Sequence, residues 1–358
     1  MAGLLISFGL AFIISLIITP LIKKVAFYLG AVDRPNARKI HSRAMPRMGG
    51  LAVYLAFTFT VLIMQPITKP IVGLLLGGTL IMLLGLVDDI RDVSPRVKLI
   101  IQIIAAGILI AFEVKIKFIT NPFGPLIYLN WHGIDFGILL TVLWIVGVTN
   151  AVNLVDGLDG LAGGLASIAA MTIAVIAWRE GGMLVVLPAI ALCASTLAFL
   201  KYNFYPAKIF MGDSGSLFLG YMLAGMSIIG LTKGAAVFSM FVPVLILGIP
   251  IFDTLFAIVR RFINNQPIFG ADKEHLHHRL LAIGLSQKQT VLIIYGVNCF
   301  LGASAVLITF LTTAQAFVAF LGITILVLIG ANRVGVLSTK AMRRMQEAKV
   351  QDKPNIGA

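Results

Sequence analysis

The stretch FGILLTVLWIVGVTNAVNLVDGLDGLAGG, residues 136–164, decides the architecture of this chain. It begins with a long apolar run and then carries two amides and two carboxylates at three-residue spacing, namely Asn150, Asn153, Asp156 and Asp159. On a helix that spacing stacks neighbouring side chains along one face. The four glycines between residues 157 and 164 predict that the helix opens here and lets a ligand approach the backbone. The alternative is a polar loop with helix caps, because Asn, Asp and Gly favour such positions.

The composition of the whole chain is typical of a membrane protein. Of its 358 residues 59% are hydrophobic and 12% are charged, and the mean hydropathy is +1.00, whereas soluble domains are about half apolar and a quarter charged. A helix needs roughly 20 apolar residues to cross a bilayer. We therefore predict an all-α polytopic membrane protein with about eleven transmembrane helices. The predicted segments are 4–22, 49–65, 71–87, 99–113, 136–152, 164–178, 183–200, 216–232, 235–259, 290–310 and 315–332.

The first segment is not expected to be a cleaved signal peptide, since no basic n-region precedes it and no small-residue cleavage site follows it. If loop 23–48 is cytoplasmic, 23 of the 28 Lys and Arg residues fall on the cytoplasmic side and 5 on the other. The positive-inside rule then predicts that the N-terminus is outside and the C-terminus inside. The net charge of +13 therefore reflects membrane orientation, and we expect no nucleic-acid partner. Residues 1–332 are predicted to form one transmembrane domain, followed by a basic, flexible cytoplasmic tail at 333–358.

Twelve of the fifteen carboxylates also fall on the cytoplasmic side, a bias that the positive-inside rule does not explain. The acidic residues behind this bias lie mainly in four segments in which helices meet water. The first, Asp33–Gly50, contains Lys39 and His41 ahead of a Pro-Arg-Met-Gly-Gly sequence. It is interpreted as a basic loop attracted to anionic headgroups, as an ordered motif, or as both.

The second and third segments place acids at helix ends. Asp88 and Asp89 close the third predicted span, where adjacent carboxylates are costly unless cations or hydrogen bonds hold them. Ordinary salt bridges with neighbouring basic residues are the alternative. Asp213 lies between Gly212 and Gly215 and opens the next apolar run. A helix-capping role and a metal or phosphate role are compatible there, because a helix N-terminus attracts anions.

The fourth segment, Arg260–Leu280, contains a histidine cluster. Zinc is not favoured, because no cysteine is near and the carboxylates lie elsewhere. Donors for phosphate or sugar oxygens fit this cluster better. Its members are His275, His277, His278 and Arg279.

Three further features of the apolar runs lead to predictions. Prolines and a glycine at residues 243, 248 and 250 predict a broken ninth helix beside a cavity. Asp253 follows the break, either as a functional residue or as the partner of Arg260 or Arg261. Cys193 and Cys299 are expected to be buried free thiols.

The acids and amides indicate a hard cation, Mg²⁺ or Mn²⁺, because these ions prefer oxygen ligands. Basic residues surround the predicted site, so we expect a negatively charged substrate. No G-x-x-x-x-G-K-[ST] motif is present, which argues against a P-loop NTPase. A phosphoryl-transfer site at the membrane rim predicts one soluble and one lipid substrate, whose mutual repulsion a divalent cation would offset.

Five motifs give the chain a family resemblance. KIHSRAMPRMGG, GLVDDIRD, NAVNLVDGLDGLAGG, YNFYPAKIFMGDSGSLFLG and HLHHRL occur in this order. The chain resembles the polyprenyl-phosphate N-acetylhexosamine-1-phosphate transferases over nearly its whole length. It is most similar to the bacterial undecaprenyl-phosphate GlcNAc-1-phosphate transferases that begin wall teichoic acid or enterobacterial antigen synthesis. The sister branch that uses UDP-MurNAc-pentapeptide has three consecutive histidines, whereas this chain has His-Leu-His-His.

The resemblance implies that UDP-GlcNAc and undecaprenyl phosphate give undecaprenyl-diphospho-GlcNAc and UMP with Mg²⁺, at the cytoplasmic face of a bacterial plasma membrane. It also implies residue roles by position. Asp88 and Asp89 correspond to catalytic aspartates, Asp213 and Asn153 to metal ligands, Asp156, Asp159 and Asn203 to nucleotide-site residues, and Lys98, His275, His277, His278 and Arg279 to phosphate or sugar contacts. Lys39 and His41 correspond to the first-loop motif, whose role is open, and a homodimer is a candidate assembly.

Other functions stay open at this point. Within the family, another UDP-HexNAc or UDP-MurNAc-pentapeptide could be the donor. An ion-coupled secondary transporter is the alternative from a different class, although transporter sites lie near the midplane between repeated halves and the acids here gather at one face. A structural scaffold would leave the four polar segments unexplained.

Overall fold

The computed structural model describes residues 1–33, 44–231, 241–267 and 274–335. In these ranges the chain is mostly helical. The helices are α1 (Ala2–Tyr28), α2 (Gly49–Met64), α3 (Lys69–Arg91), α4 (Pro95–Ala111), α5 (Phe136–Val155), α6 (Leu161–Arg179), α7 (Met183–Asn203), α8 (Gly212–Leu231), α9 (Phe241–Ile246), α10 (Gly248–Ile263), α11 (Leu276–Ala282), α12 (Gln287–Ile308) and α13 (Thr313–Arg333). Seven of them, α1, α3, α5, α6, α7, α12 and α13, are long and apolar enough to cross a membrane. The chain is a polytopic helical membrane protein.

Helix α8 lies at the centre of the bundle. Its side chains are buried from Ser214 to Gly230, and α2, α3, α5, α6 and α7 all pack against it. Small residues in the sequence GDSGSLFLGYMLAGMSIIG allow neighbouring backbones to approach closely. A Cβ on Gly220, for example, would lie 2.7 Å from Thr149 Cα. The central position of α8 fixes its first turn where the ends of the surrounding helices meet.

Each of the eleven predicted segments overlaps a helix, and the predicted break in the ninth is confirmed. α9 ends at Ile246 and α10 begins at Gly248, with Leu247 between them outside helical geometry. Pro250 has no N–H to donate to the Ile246 carbonyl, which weakens the helix at this point. The predicted segment begins at 235, and its first residues lie outside the described ranges.

Short strands are a departure from the purely helical prediction. β1 (Val32–Asp33) pairs with β2 (Met45–Pro46), and between α4 and α5 β3 (Phe118–Ile119) pairs with β4 (Ile127–Tyr128) and β5 (Asn130–Trp131) with β6 (Ile134–Asp135), all antiparallel. Aromatic and β-branched residues between turn residues such as Gly133 favour these hairpins. They are too short for the periodicity of a strand to be visible in the sequence.

The prediction of two buried thiols is confirmed for Cys193 and wrong for Cys299, which is an exposed free cysteine. Both lie in apolar helices, α7 and α12. In a membrane protein an apolar residue can face the lipid as well as the core, so hydropathy alone does not predict burial.

The bundle has two polar ends. At one end the α3–α4, α5–α6 and α7–α8 connections meet residues 45–50, where Gly50 N–H donates to the Met211 carbonyl at 2.8 Å. At the other end Lys69 pairs with Glu113 at 2.6 Å and Lys115 pairs with Asp135. The predicted site residues within the described ranges all lie at the first end or on α10–α11 beside it. Lys39, His41 and the predicted tail from residue 336 onward lie outside the described residues.

Candidate active site

Lys98 lies between two carboxylates that come from different helices. Its Nζ donates to Asp88 Oδ2 and to Asp213 Oδ2, each at 2.6 Å. Asp88 is in the last turn of α3, Lys98 in the first turn of α4 and Asp213 in the first turn of α8. The backbone N–H of Val93 donates to Asp88 Oδ1 at 2.6 Å. The end of the bundle therefore holds one positive charge between two acids.

Asp89 has different partners from Asp88. Its carboxylate accepts the backbone N–H groups of Asp213 at 2.8 Å and Ser214 at 3.2 Å, and its side chain is fully buried. It thus caps the N-terminus of α8, where a negative charge is stabilised by the unpaired N–H groups and the helix dipole. Arg47 Nε lies 3.9 Å from Asp89 Oδ1. Asp89 holds the backbone that carries Asp213.

Asn153 joins the end of α5 to the same group. Its Nδ2 donates to Asp213 Oδ1 at 3.2 Å and to Ser216 Oγ at 2.8 Å. One turn earlier, Asn150 exchanges two hydrogen bonds with buried Gln102, at 2.7 and 3.2 Å. Because Gln102 lies one turn after Lys98 on α4, this amide pair fixes the distance between Lys98 and Asn153.

Asp156 follows α5 at its C-cap and is half-buried. Burial, with smaller contributions from the nearby carboxylates of Asp213, Asp89 and Asp159, raises its pKa to about 8. Together with Asp88, these four acids outnumber the cations that the structure shows beside them, Lys98 and Arg47. Such a pocket favours a bound cation.

Asp159 and Asn203 hold the loops around the site. Asp159 Oδ2 accepts the N–H of Ala207 at 2.9 Å. Asn203 is buried; its Oδ1 accepts the Gly160 N–H at 3.1 Å and its Nδ2 donates to the Ile209 carbonyl at 3.0 Å. The structure therefore uses Asn203 to join the α5–α6 and α7–α8 connections. Its assignment to the nucleotide site stays a prediction.

The histidine segment lies against the α5–α6 connection. A Cβ on Gly157 would be 2.3 Å from His277 Nε2, so only glycine allows this approach. His277 is buried, and burial lowers its pKa to about 3, with a smaller contribution from His278. His277 is therefore a neutral imidazole at pH 7, and its Nε2 is a buried atom with no hydrogen-bond partner among the described residues.

Arg279 supplies the positive charge of this segment. It is buried, and its guanidinium donates to Glu274 Oε2 at 2.8 Å, while Nε has no partner within the described part of the chain. His275 Nδ1 lies 2.9 Å from Asp253 Oδ2. His278 is half-buried, with its ring centroid 4.1 Å from that of His277.

The donor set fits a hard cation. Within the described ranges no group of three or more His, Cys, Asp or Glu side chains is arranged to hold a metal. This does not conflict with Mg²⁺, which commonly takes one or two protein ligands and fills the rest with water and phosphate oxygens. The carboxylates of Asp88 and Asp213 both bind the ammonium group of Lys98, so this part of the site accepts positive charge.

Comparisons with known proteins show what the chain is similar to. The profile of glycosyl transferase family 4 matches residues 71–231, which carry all five acids of the site, Asp88, Asp89, Asp156, Asp159 and Asp213. A probable undecaprenyl-phosphate N-acetylglucosaminyl 1-phosphate transferase of Bacillus subtilis is 43% identical over 310 residues, 86% of each chain. A decaprenyl-phosphate N-acetylglucosaminephosphotransferase of Mycobacterium leprae is 37% identical over 83% of this chain and 82% of its own. An undecaprenyl-phosphate alpha-N-acetylglucosaminyl 1-phosphate transferase of Thermotoga maritima is 30% identical over 80% of this chain and 92% of its own.

The chain belongs to glycosyl transferase family 4. The resemblance seen in the five sequence motifs is confirmed. Membership in this family of membrane transferases also removes the support for a transporter or a scaffold.

Several residues around this glycosyl transferase family 4 site were not predicted from sequence. Gln102 and Tyr295 are polar residues inside apolar helices, and the Tyr295 hydroxyl donates to the Gly160 carbonyl at 2.5 Å. Nothing in their local sequence distinguishes them from other membrane-helix residues. Ser216 lies in the quoted motif GDSGS, and its position one turn after Gly212 was the available signal.

Proposed function

We propose that this protein transfers N-acetylglucosamine 1-phosphate from UDP-GlcNAc to undecaprenyl phosphate and releases UMP. The relatives' names support the lipid-linked GlcNAc-1-phosphate transfer. The observation that carries the proposal is the position of Lys98, 2.6 Å from both Asp88 and Asp213 at the end of a membrane bundle. A cation-binding space at this end can receive phosphate groups from water and from the bilayer.

In the proposed reaction an oxygen of the carrier phosphate attacks the sugar-linked phosphorus of UDP-GlcNAc. A new P–O–P bond forms, and the bond to the bridging oxygen breaks as UMP leaves. Both substrates are anionic, so the main tasks of the protein are to position them and to stabilise the charge that develops. Lys98 offsets this charge, and Asp88 orients the attacking phosphate and takes its proton when that oxygen is protonated.

We propose Mg²⁺, with Mn²⁺ as a substitute, as the cofactor. Asp213 would hold it through a carboxylate oxygen, and Asn153 would add its Oδ1 after its amide turns. When bound, the ion neutralises phosphate charge and aligns the two phosphates for in-line displacement. Two contacts support this ligand set: Asp89 accepts the backbone N–H of Asp213, and Ser216 Oγ accepts a hydrogen bond from Asn153.

The remaining site residues are proposed to bind the donor. Asp156 and Asp159 lie in the α5–α6 connection and Asn203 contacts it, at the loops that would hold uridine. The histidine segment lies against the same connection and would contact sugar and pyrophosphate oxygens through His277 Nε2 and Arg279 Nε, which have no partner in the described ranges. Its members are His275, His277, His278 and Arg279.

We further propose eleven membrane spans, an outside N-terminus and a cytoplasmic site in a bacterial plasma membrane. The distribution of basic residues supports this orientation, and the acids of the site lie at the end that it assigns to the cytoplasm. The product would be the first lipid-linked intermediate of a surface glycan such as wall teichoic acid. A homodimer is the candidate assembly.

The donor is tested by release of UMP from purified protein in nanodiscs with undecaprenyl phosphate and Mg²⁺. UDP-GlcNAc, UDP-GalNAc and UDP-MurNAc-pentapeptide are compared at equal concentration. We expect UDP-GlcNAc to be used preferentially, and Lys98→Ala to lose activity by at least about 100-fold. Turnover of the peptide-bearing donor alone would refute the proposed substrate.

A further inference from the structure

Asp253 is a buried acid in an otherwise apolar part of α10, five residues after that helix begins. It is 5% exposed and uses both carboxylate oxygens. Oδ1 accepts the backbone N–H of Leu276 at 2.8 Å, and Oδ2 lies 2.9 Å from His275 Nδ1. Neither of the predicted partners, Arg260 and Arg261, takes this role. Burying a carboxylate in an apolar helix costs free energy. Ionisable residues at such positions are therefore usually functional.

The hydrogen bond defines the state of the His275 ring. An ionised carboxylate can only accept, so the Nδ1 of His275 must carry the proton that is shared with Asp253. In the neutral ring Nε2 is then the acceptor nitrogen. The His275 ring lies parallel to that of His277, at an interplanar angle of 3° with ring centroids 5.9 Å apart. Asp253 therefore sets both the tautomer and the plane of the first histidine.

A second buried link lies two turns along the same face of α10. Arg260 Nε donates to Glu274 Oε2 at 2.9 Å, and Glu274 also accepts from Arg279 at 2.8 Å. Residues seven apart share a helix face, so Asp253 and Arg260 hold Glu274 and His275 at two points. Leu276 packs against the Phe252–Phe256 cluster between them.

We propose that Asp253 is a positioning residue for the transfer reaction, acting through His275 to hold the histidine segment against the α5–α6 connection. This inference rests on the proposed function, because it assigns the purpose of the segment to donor binding. The break at Leu247 gives α10 a direction of its own, so that a residue on it can face the segment. Asp253 itself touches neither the acids nor Lys98 in the structure.

The test is a double-mutant cycle with Asp253→Asn and His275→Asn, measured with radiolabelled UDP-GlcNAc. Asparagine can accept only one of the two N–H groups. We expect Asp253→Asn alone to lower kcat/KM for UDP-GlcNAc by about 10- to 100-fold, and to change it less than about twofold in the His275→Asn background. Asp253→Glu should recover part of the activity. Thr254→Val, at the neighbouring position whose buried hydroxyl has no partner in the described ranges, should match the unmodified protein.

Equal losses in both backgrounds, or full activity of Asp253→Asn, would overturn this role. A second readout does not depend on turnover. Diethyl pyrocarbonate labelling, followed by mass spectrometry, should modify His275 faster in Asp253→Asn and leave His132 at the other end unchanged. Unchanged His275 labelling would also overturn the role. If the unmodified protein releases no UMP, the proposed function fails, and the labelling still decides whether Asp253 holds His275.

Discussion

Asp88 and Asp89 are adjacent in the chain, and their carboxylates have different partners. Asp88 contacts Lys98 at the rim of the site, whereas Asp89 accepts two backbone N–H groups at the start of α8. Two neighbouring acids at a helix end look equivalent in a sequence. Their directions differ because successive residues of a helix point about 100° apart, so one faces the open site and the other the central helix.

We expect Asp88→Asn and Asp89→Asn to fail in different ways. Asp88→Asn should keep the protein folded and lose UMP release, because the proposed role of this side chain is to act on the substrates. Asp89→Asn should also lower the stability, by about 1–3 kcal/mol, because one buried N–H of α8 loses its acceptor. Thermal unfolding and UMP release of both variants decide this. Equal unfolding temperatures would contradict the capping role of Asp89.

The raised pKa of Asp156 leads us to predict that the stability of the protein depends on pH. Its pKa is raised by burial to about 8 from the ordinary value of 3.8, so the folded protein binds this proton more tightly than the unfolded chain. The free energy of unfolding of the metal-free protein should therefore decrease as pH rises from about 4 to about 8.

In Asp156→Asn this part of the decrease should be absent, because the amide does not titrate. Apparent melting temperatures at several pH values, with chelator present, measure it. Asp92→Asn, at an exposed position near the same end, is the matched control and should keep the slope of the unmodified protein. An identical slope in Asp156→Asn would show that other groups cause the decrease.

At the scale of elements, close approach between helices builds the site. A Cβ on Gly50 would lie 2.1 Å from Gly215 Cα, and one on Gly85 would lie 2.4 Å from Ser214 Cα. Both contacts are made at the first turn of α8. Glycine at these two positions therefore lets α2 and α3 reach the backbone that carries Asp213, and brings Asp89 within hydrogen-bonding distance.

Gly50→Ala should consequently destabilise the protein by about 1–3 kcal/mol and reduce UMP release, because the added methyl group meets backbone atoms that cannot turn away. Gly107→Ala on α4 is the matched control. A Cβ there has no atom within 4 Å, so this substitution should be neutral or slightly stabilising. The stability of both variants is measured by thermal unfolding in the same detergent. A stable, active Gly50→Ala protein would contradict the close packing of α2 on α8.

The sequence predicted these elements better than their contacts. Apolar length located every described helix except the short α11, and Pro250 with its neighbours located the break between α9 and α10. The partner of Asp253 was not predictable, because His275 lies 22 residues away and charge favoured Arg260 or Arg261. The pairing of Gln102 with Asn150 was also missed, since one amide in an apolar helix has no periodic signal. Tertiary packing alone decides such pairs.

At the scale of the whole molecule, the two polar ends predict an orientation that can be measured. In a background without Cys193 and Cys299, Lys117→Cys and Lys208→Cys place exposed thiols at opposite ends. A membrane-impermeant thiol reagent should label residue 117 in intact cells, and residue 208 only after permeabilisation. The reverse result would invert the topology and place the site outside.

Formation of lipid-linked GlcNAc from radiolabelled UDP-GlcNAc and undecaprenyl phosphate tests the whole proposal most directly. UMP should appear in equal amount, both products should require Mg²⁺ or Mn²⁺, and folded Asp213→Asn should make neither. Near-normal product formation by Asp213→Asn, or in the presence of excess chelator, would contradict a site in which acids from separate helices join a nucleotide sugar to a membrane carrier around one cation.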